Sequence, residues 1–407
     1  MADKQRIAIF FGGRSPEHDI SIVTGLQVLQ AVDSGRFEAF PVYVTPQGEW
    51  LVGEALAQRS NYMLSADLKK TLTSVTLDTA PSGRGSLIPR GQAGGLFKKP
   101  APPIPFDVAL LAFHGTTGED GQMQGLLEAA GVAYTGMRTL ASALLMDKAA
   151  TKQILRGIGI PTLPHVLLPR PRQGLIIGQA ALAELVQGIP FPAVIKPNHL
   201  GSSIGVAKVK DVEELAAVLP RIFKLDSQAI LEPFVPNLVE YNVAVCGFGD
   251  DIQTSAIERP KGTAELLDFK QKYMAGGSKS GTKSAGAKTS GQPSQGMLSL
   301  TREINPVLPT EYEANLRRWA AQMFAAVGGS GAPRIDFIAN SQSGEVWLNE
   351  VNPCPGSFGF FLWEAAKDPI LFTALITSLI EEAQTLHRQA QLPPDPTPED
   401  ARLFKRP

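Results

Sequence analysis

The chain has 407 residues, with 38 basic and 39 acidic side chains for a net charge of −1; that length suits two or three domains, and the balance excludes a global basic field for a nucleic-acid backbone. Hydrophobic residues make up 43% and charged residues 19%, which excludes a disordered or fibrous chain, and 2 cysteines cannot build a disulfide framework or a cysteine zinc site. No run reaches roughly 18 uninterrupted apolar residues, and the first residues are polar, so the expectation is a soluble cytoplasmic protein with no membrane partner.

The run 7–11, Ile-Ala-Ile-Phe-Phe, ends at Gly12-Gly13 and suits a buried parallel strand. After a turn at 14–19, residues 21–29 carry apolar positions at helical spacing, and 39–44 forms the next strand. This alternation implies a parallel sheet. The stretch 80–105 is rich in Gly and Pro and reads as an irregular insertion or a loosely ordered hairpin. The run 107–113 is another buried strand, ending at His114-Gly115. A helix over 123–130, a short strand at 132–134 and one helix over 141–157 follow, the last closed by Gly157-Ile158-Gly159-Ile160-Pro161. Strands are expected at 193–197, 229–235, 240–248, 334–339 and 345–348, and a helix at 369–388. The Gly/Ser/Lys-rich stretch 276–296 has the composition of a surface loop or lid, and 391–407 that of a loosely attached tail. The two Gly-rich stretches carry seven basic residues and no acids, so the rest of the chain holds 31 basic against 39 acidic residues.

Three constellations could carry chemistry. In Lys196-Pro197-Asn198-His199-Leu200-Gly201-Ser202-Ser203-Ile204-Gly205, a lysine ends a strand and a Gly/Ser turn follows. Glycines admit phosphate oxygens to backbone N–H groups, and serines add donors; alone, the same residues also make an ordinary hairpin. Asp336, Glu350 and Asn352 are oxygen donors on neighbouring strands, with Glu350 and Asn352 two apart and so on one face. Such a trio suits Mg²⁺ shared with substrate phosphates. His114 to Gly125 is a polar, Gly-rich turn at a strand's carboxyl end, where active-site loops sit, although a lone histidine there can equally be a cap or core residue. Lys148 and Lys152 lie one helical turn apart.

Read in order, these segments resemble the D-alanine–D-alanine ligase family of the ATP-grasp superfamily. The resemblance rests on Phe11-Gly12-Gly13-Arg14-Ser15-Pro16-Glu17-His18-Asp19-Ile20-Ser21, His114 to Gly125 and Met146-Asp147-Lys148. It continues through Lys196 to Gly205, Glu232 to Val235, Glu240-Tyr241-Asn242-Val243, Lys272-Tyr273, Arg334-Ile335-Asp336 and Asn349-Glu350-Val351-Asn352-Pro353. It implies an α/β ATP-grasp fold behind an N-terminal Rossmann-like domain. The boundaries it implies are 1–140, an ATP-grasp small subdomain over 141–230, a large subdomain over 231–390 and the tail.

The resemblance also assigns roles. Lys148 and Lys196 would contact ATP phosphates, and Lys272 the γ-phosphate. Glu232 with Pro233, Phe234 and Val235 would meet adenine, Glu240 the ribose, and Ser203 would lie in the loop over the phosphates. Asp336, Glu350 and Asn352 would hold two Mg²⁺ ions, with Mn²⁺ as a substitute. Glu17 would bind the first amino acid's ammonium in a network with Ser202 and Tyr273, beside His114, and Arg334 would stabilise the developing oxyanion. Small amino acids would be the substrates and a homodimer the assembly. The chain departs from the family at Cys354-Pro355-Gly356-Ser357-Phe358-Gly359-Phe360-Phe361-Leu362, which is shorter and more aromatic than the usual Ser-bearing turn for the second amino acid. The main expectation is therefore a ligase joining two D-alanines. The alternative is a ligase of the same fold with another acceptor amine.

Overall fold

The computed structural model describes residues 4–62, 65–80, 83–90, 101–248, 251–261, 302–391, 398 and 401. Strand β1 (Gln5–Gly12) shows why its sequence is an unbroken apolar run. Ile7, Ile9 and Phe11 point into one core, while Ala8 and Phe10 point into another. Alternate side chains leave opposite faces of a strand, so a sheet covered on both sides needs every position apolar.

The first sheet contains β1, β2 (Phe37–Val44), β3 (Trp50–Val52), β4 (Thr73–Leu77), β5 (Gly85–Pro89), β6 (Ile104–Phe106), β7 (Val108–Leu111) and β8 (Ala133–Tyr134), in the order β6-β5-β4-β3-β2-β1-β7-β8. The expected parallel sheet is its β2-β1-β7-β8 half. The other half is antiparallel: short turns join β2 to β3 and β4 to β5, while residues 53–72, with the helix Ala66–Thr71, return the chain from β3 to β4. The strand expected at 107–113 is β7, which covers 108–111 and pairs with β1, while β6 just before it pairs with β5. Of the stretch 80–105, the described part is the antiparallel β5–β6 pair at the sheet edge.

The helix His18–Ala31 crosses β1 at Gly25, where a Cβ would stand 2.3 Å from the Phe11 ring. It shares its core with the C-terminal helix Phe372–Ala390, through Leu375, Ile376, Leu379 and Ile380. The end of the chain thus covers the sheet at its beginning. Glu382 of that helix accepts the Gly331 N–H at 2.7 Å, and burial pushes its carboxyl up to about 7.

The helix expected over 141–157 is two helices, Thr139–Met146 and Lys148–Gly157. Asp147 leaves helical geometry (φ −85°, ψ 104°), and its carboxylate accepts the Ala150 N–H at 2.9 Å as an N-cap. A continuous apolar period hides a cap of this kind, because the aspartate sits between two amphipathic stretches in register. The second helix carries Lys148 and Lys152, both buried, one turn apart.

A four-stranded antiparallel sheet follows: β9 (Val166–Pro169), β10 (Ala193–Pro197), β11 (Ala207–Val209) and β12 (Gln228–Pro233), in the order β11-β10-β12-β9. Helices Gln179–Leu185 and Val212–Ile222 cover one of its faces. The third sheet is β13 (Leu238–Phe248), β14 (Asp251–Pro260), β15 (Arg302–Ile304), β16 (Arg334–Asn340) and β17 (Val346–Asn352), in the order β15-β14-β13-β16-β17. It packs on helix Thr310–Ala326 and on Ala141 and Leu145. No helix among the described residues is long and apolar enough to cross a membrane.

Candidate active site

The three sheets meet at a cleft whose lining includes Glu17, Glu119, Lys148, Gly201, Glu350 and Asn352. Glu17 caps a helix and Lys148 opens one, Glu119 and Gly201 lie in loops that follow strands, and Glu350 and Asn352 lie on the last residues of β17. Glu17 precedes the helix His18–Ala31 and is 6% exposed. Its Oε1 accepts a hydrogen bond from the Ser202 hydroxyl. Burial pushes the Glu17 carboxyl up, while Ser202 and Lys148 pull it down. Ser202 and Ser203 have φ of +53° and +58°, so two adjacent residues hold left-handed backbone in the Gly/Ser loop.

Gly115 packs against the same carboxylate. A Cβ there would lie 2.2 Å from Ser15 Oγ and 2.8 Å from Glu17 Oε2, at φ +77°. On the ammonium-binding role that the resemblance implies for Glu17, Gly115→Ala is expected to raise KM for an amino-acid substrate about tenfold or more, from left-handed strain and displacement of Glu17. Nucleotide affinity should be unchanged in the same variant. An unaltered amino-acid KM would show that Glu17 lies away from the substrate.

His114 is 5% exposed, and its Nε2 lies 2.7 Å from Thr24 Oγ1. Burial pushes the imidazole down to about 4, against a hydrogen bond with the Cys354 backbone. A neutral ring accepts a hydrogen bond from the Thr24 hydroxyl and donates one to the Cys354 carbonyl. Thr24 Oγ1 in turn accepts the Ser357 N–H at 3.2 Å. His114 thus ties the N-terminal helix to the loop after β17.

Glu119 makes a parallel tie. Its carboxylate accepts the Gly115 N–H and, at 2.9 Å, the Cys354 N–H. Burial, then the neighbouring Glu17, push it up to about 8. At neutral pH the Glu17–Glu119 pair therefore carries less than two negative charges. The only signal for Glu119 in the sequence was its place inside the His114–Gly125 motif. The Cys354 thiol is pushed well above its ordinary value by burial and Glu119, which suits packing rather than nucleophilic attack.

Deeper in the cleft, three charges from three elements meet. Glu232, 2% exposed on β12, lies 2.6 Å from Lys152 Nζ and 2.7 Å from Lys196 Nζ. Burial pushes Glu232 up, but the two lysines outweigh it and hold the carboxyl at about 2. Lys152 was noted in the sequence without a role, and the fold makes it the second partner of Glu232. Lys196 also donates to Asn349 Oδ1 at 3.0 Å, and Lys148 Nζ donates to the Leu200 carbonyl at 2.6 Å and stands 3.6 Å from Glu350. Glu240 lies close enough to Lys196 to raise its pKa. Past Glu232, Phe234 has Lys208 Nζ 3.6 Å from its ring centroid, and Val235 is buried against Leu163 and Ile338.

The three oxygen donors also converge. Asp336 on β16 stands opposite Glu350 on β17, and Arg334 opposite Asn352. Arg334 grips Asp336 with two nitrogens at 2.6 and 2.7 Å, and Asn352 Nδ2 reaches Asp336 at 2.9 Å. Two carboxylates and an amide oxygen beside buried lysines fit a hard divalent cation that is also held by phosphate oxygens. Lys272, Tyr273 and the stretch 276–296 lie outside the described residues.

Residues 6–137 match the D-ala D-ala ligase N-terminus model, and residues 154–381 match the D-ala D-ala ligase C-terminus model. The chain belongs to the D-Ala–D-Ala ligase family. D-alanine–D-alanine ligase A of Bradyrhizobium diazoefficiens is 31% identical to it over 396 residues, covering 96% of this chain and 98% of the relative. D-alanine–D-alanine ligase of Chlorobium chlorochromatii is 33% identical over 379 residues, covering 93% and 97%. Among solved structures, the VanG D-Ala:D-Ser ligase of Enterococcus faecalis superposes with a TM-score of 0.72 at 26% identity, covering 94% of this chain and 100% of that one. The Coxiella burnetii D-alanine–D-alanine ligase superposes with the same TM-score at 23% identity, covering 95% and 96%, and supports the fold alone. The expected α/β ATP-grasp architecture with its N-terminal domain is thus the observed one.

Proposed function

We propose that this chain is an ATP-dependent ligase that joins two D-alanines, in the cytoplasm, for cell-wall precursor synthesis. The observation that carries the reading is the cleft itself. Glu17 for an ammonium, Lys148 for phosphates and the oxygen donors Glu350 and Asn352 line one space, and Asp336 with Arg334 is bonded behind Asn352. A carboxylate is a poor acyl donor, so the reaction first makes it a mixed anhydride. The first D-alanine's carboxylate oxygen attacks the γ-phosphorus, and the bond to ADP breaks. The second D-alanine's neutral amine then attacks the acyl carbon, phosphate leaves, and the nitrogen gives up one proton as it becomes the amide. Similarity at 31–33% identity over nearly the full chain to D-alanine–D-alanine ligases favours alanine over another acceptor amine.

Each group has a physical task. Glu17, oriented by Ser202, receives the first substrate's ammonium. Lys148 and Lys196 bind phosphate oxygens, which lowers the repulsion between two anions brought together. At an effective dielectric of about 20, unit charges 4 Å apart interact by about 4 kcal/mol, so one lysine does not suffice. Asp336, Glu350 and Asn352 would hold Mg²⁺, which when bound neutralises developing charge on the phosphoryl oxygens. Arg334 offers a rigid, permanently charged fork to the oxyanion. Phe234 and Val235 lead the backbone past the adenine site, with Glu240 at the ribose.

Mass spectrometry of the product formed from ATP, MgCl₂ and a mixture of D- and L-amino acids tests this reading. The expected product is D-alanyl-D-alanine with one phosphate released per dipeptide. A dipeptide with another second residue would move the function to the alternative acceptor. No dipeptide at all would remove the ligase reading.

A further inference from the structure

The Gly/Ser loop begins at a side chain that neither the substrate cleft nor the metal trio uses. His199 stands between two carboxylates on different elements. Its Nδ1 lies 2.8 Å from Asp226 Oδ1, its Nε2 lies 3.4 Å from Asp147 Oδ2, and its backbone N–H donates to Asp226 Oδ2 at 2.7 Å. Asp147 is the N-cap of the helix that opens with Lys148. Asp226 lies two residues before Gln228, which opens the strand of Glu232, and accepts its N–H at 3.1 Å. Asn198 Nδ2 also lies 3.2 Å from Nε2, but it donates to Asp147 and Gln228, which leaves both ring nitrogens facing carboxylates and makes the cluster an ion-pair bridge rather than a metal site.

The preceding residue tightens the link. Asn198 is fully buried; its Nδ2 donates to Asp147 at 2.8 Å, its Oδ1 accepts the Ala149 N–H at 3.0 Å, and its carbonyl accepts the Lys148 N–H at 3.2 Å. The following residue, Leu200, accepts the Lys148 ammonium. The position of Lys148 and the start of the 201–205 loop are thus set by one short segment.

We propose that His199 is a positioning residue whose bridge between Asp147 and Asp226 holds the Gly/Ser loop and Lys148 in the arrangement that receives nucleotide phosphates. The inference rests on the nucleotide reading of that loop and adds a residue, and a charge state, that the reading does not contain. The hydrogen bonds to Asp147 and Asp226 push the imidazole up to about 9, while Asp147 is held at about 2 and Asp226 below its ordinary value. Near neutrality the ring is therefore a cation between two anions. A neutral imidazole has one N–H and can serve only one of the two carboxylates. Because the folded value is raised, the contribution is complete below the ordinary histidine range near 6.5 and is lost as pH rises through about 9.

The test uses the full chain with MgCl₂, and titrates ADP calorimetrically between about pH 7 and pH 10, in wild type, His199→Gln and His199→Arg. Wild-type Kd should rise about tenfold across that range, and His199→Gln should start about tenfold weaker and stay flat, since charge-assisted hydrogen bonds of this kind are worth about one decade. His199→Arg keeps a permanent fork for both carboxylates and should bind as wild type does near neutrality, without the alkaline loss. Turnover with saturating ATP should show the effect in KM for ATP, with kcat within about twofold, because the chemistry lies elsewhere. An ADP affinity for His199→Gln equal to wild type at every pH would overturn the proposal. Should that variant not fold, ¹⁵N-histidine NMR of the wild type decides. ADP should raise the His199 pKa, and an identical value with and without ADP would overturn it. A wild type that binds ADP but makes no dipeptide would instead remove the substrate reading and leave the His199 result standing.

Discussion

A Glu232→Ala chain is expected to lose about 3–5 kcal/mol of stability, read as a lower urea midpoint at unchanged slope. The carboxylate sits between Lys152, which is 0% exposed, and Lys196, at 2.6 and 2.7 Å. Its removal leaves two buried ammonium groups facing one another with no anion between them, and desolvated charge without a partner is among the largest single penalties in a fold. Glu232 is depressed to about 2, so its contribution is present above the ordinary glutamate value and is lost as pH falls through about 2. Combining Glu232→Leu with Lys152→Met removes one charge of each sign and replaces them with apolar volume. That double variant should recover most of the stability while nucleotide affinity remains poor, because Lys196 has lost the anion that orients it. A loss below about 1 kcal/mol in the single variant would mean that water or another anion already serves the lysines.

The second large effect is on rate. Arg334→Lys should lower kcat at saturating Mg²⁺ by about 10²–10³ with little change in stability. The guanidinium makes two parallel hydrogen bonds to Asp336, a geometry that a point-charge ammonium cannot reproduce. The oxyanion forms only as the amine attacks, so its stabilisation appears in kcat rather than in ground-state binding. Asp336→Asn is the contrasting variant: it should weaken Mg²⁺ binding, read as a shifted metal dependence of turnover. Should Arg334→Lys change the metal dependence and leave kcat at saturating metal within tenfold, the arginine orients Asp336 and does not meet the oxyanion.

Much of the fold was legible because its signals are local. The 7–11 run reads as a doubly buried strand since period-two burial on both faces leaves no polar position. The loop glycines and serines read as a phosphate-type turn because left-handed backbone at Ser202 and Ser203 needs a tight, irregular segment. The break at Asp147 did not show, because its cap lies between two helices of matching apolar phase. Strands β3 and β4 were missed because they are short and one of them is bounded by polar turns on both sides.

The site followed the same division. By itself the sequence determined the ordered set of motifs, and with it the family, since residue identity within a short segment suffices to recognise a cap, a turn or a pair of donors on one strand face. Only the tertiary structure decided what each side chain faces. It gave Glu232 two lysines from different elements, set Glu119 against Glu17, placed His199 between Asp147 and Asp226, and laid the C-terminal helix on the first sheet. Those are contacts between residues far apart in the chain, and charge pairing and burial across such distances leave no periodic trace in the sequence.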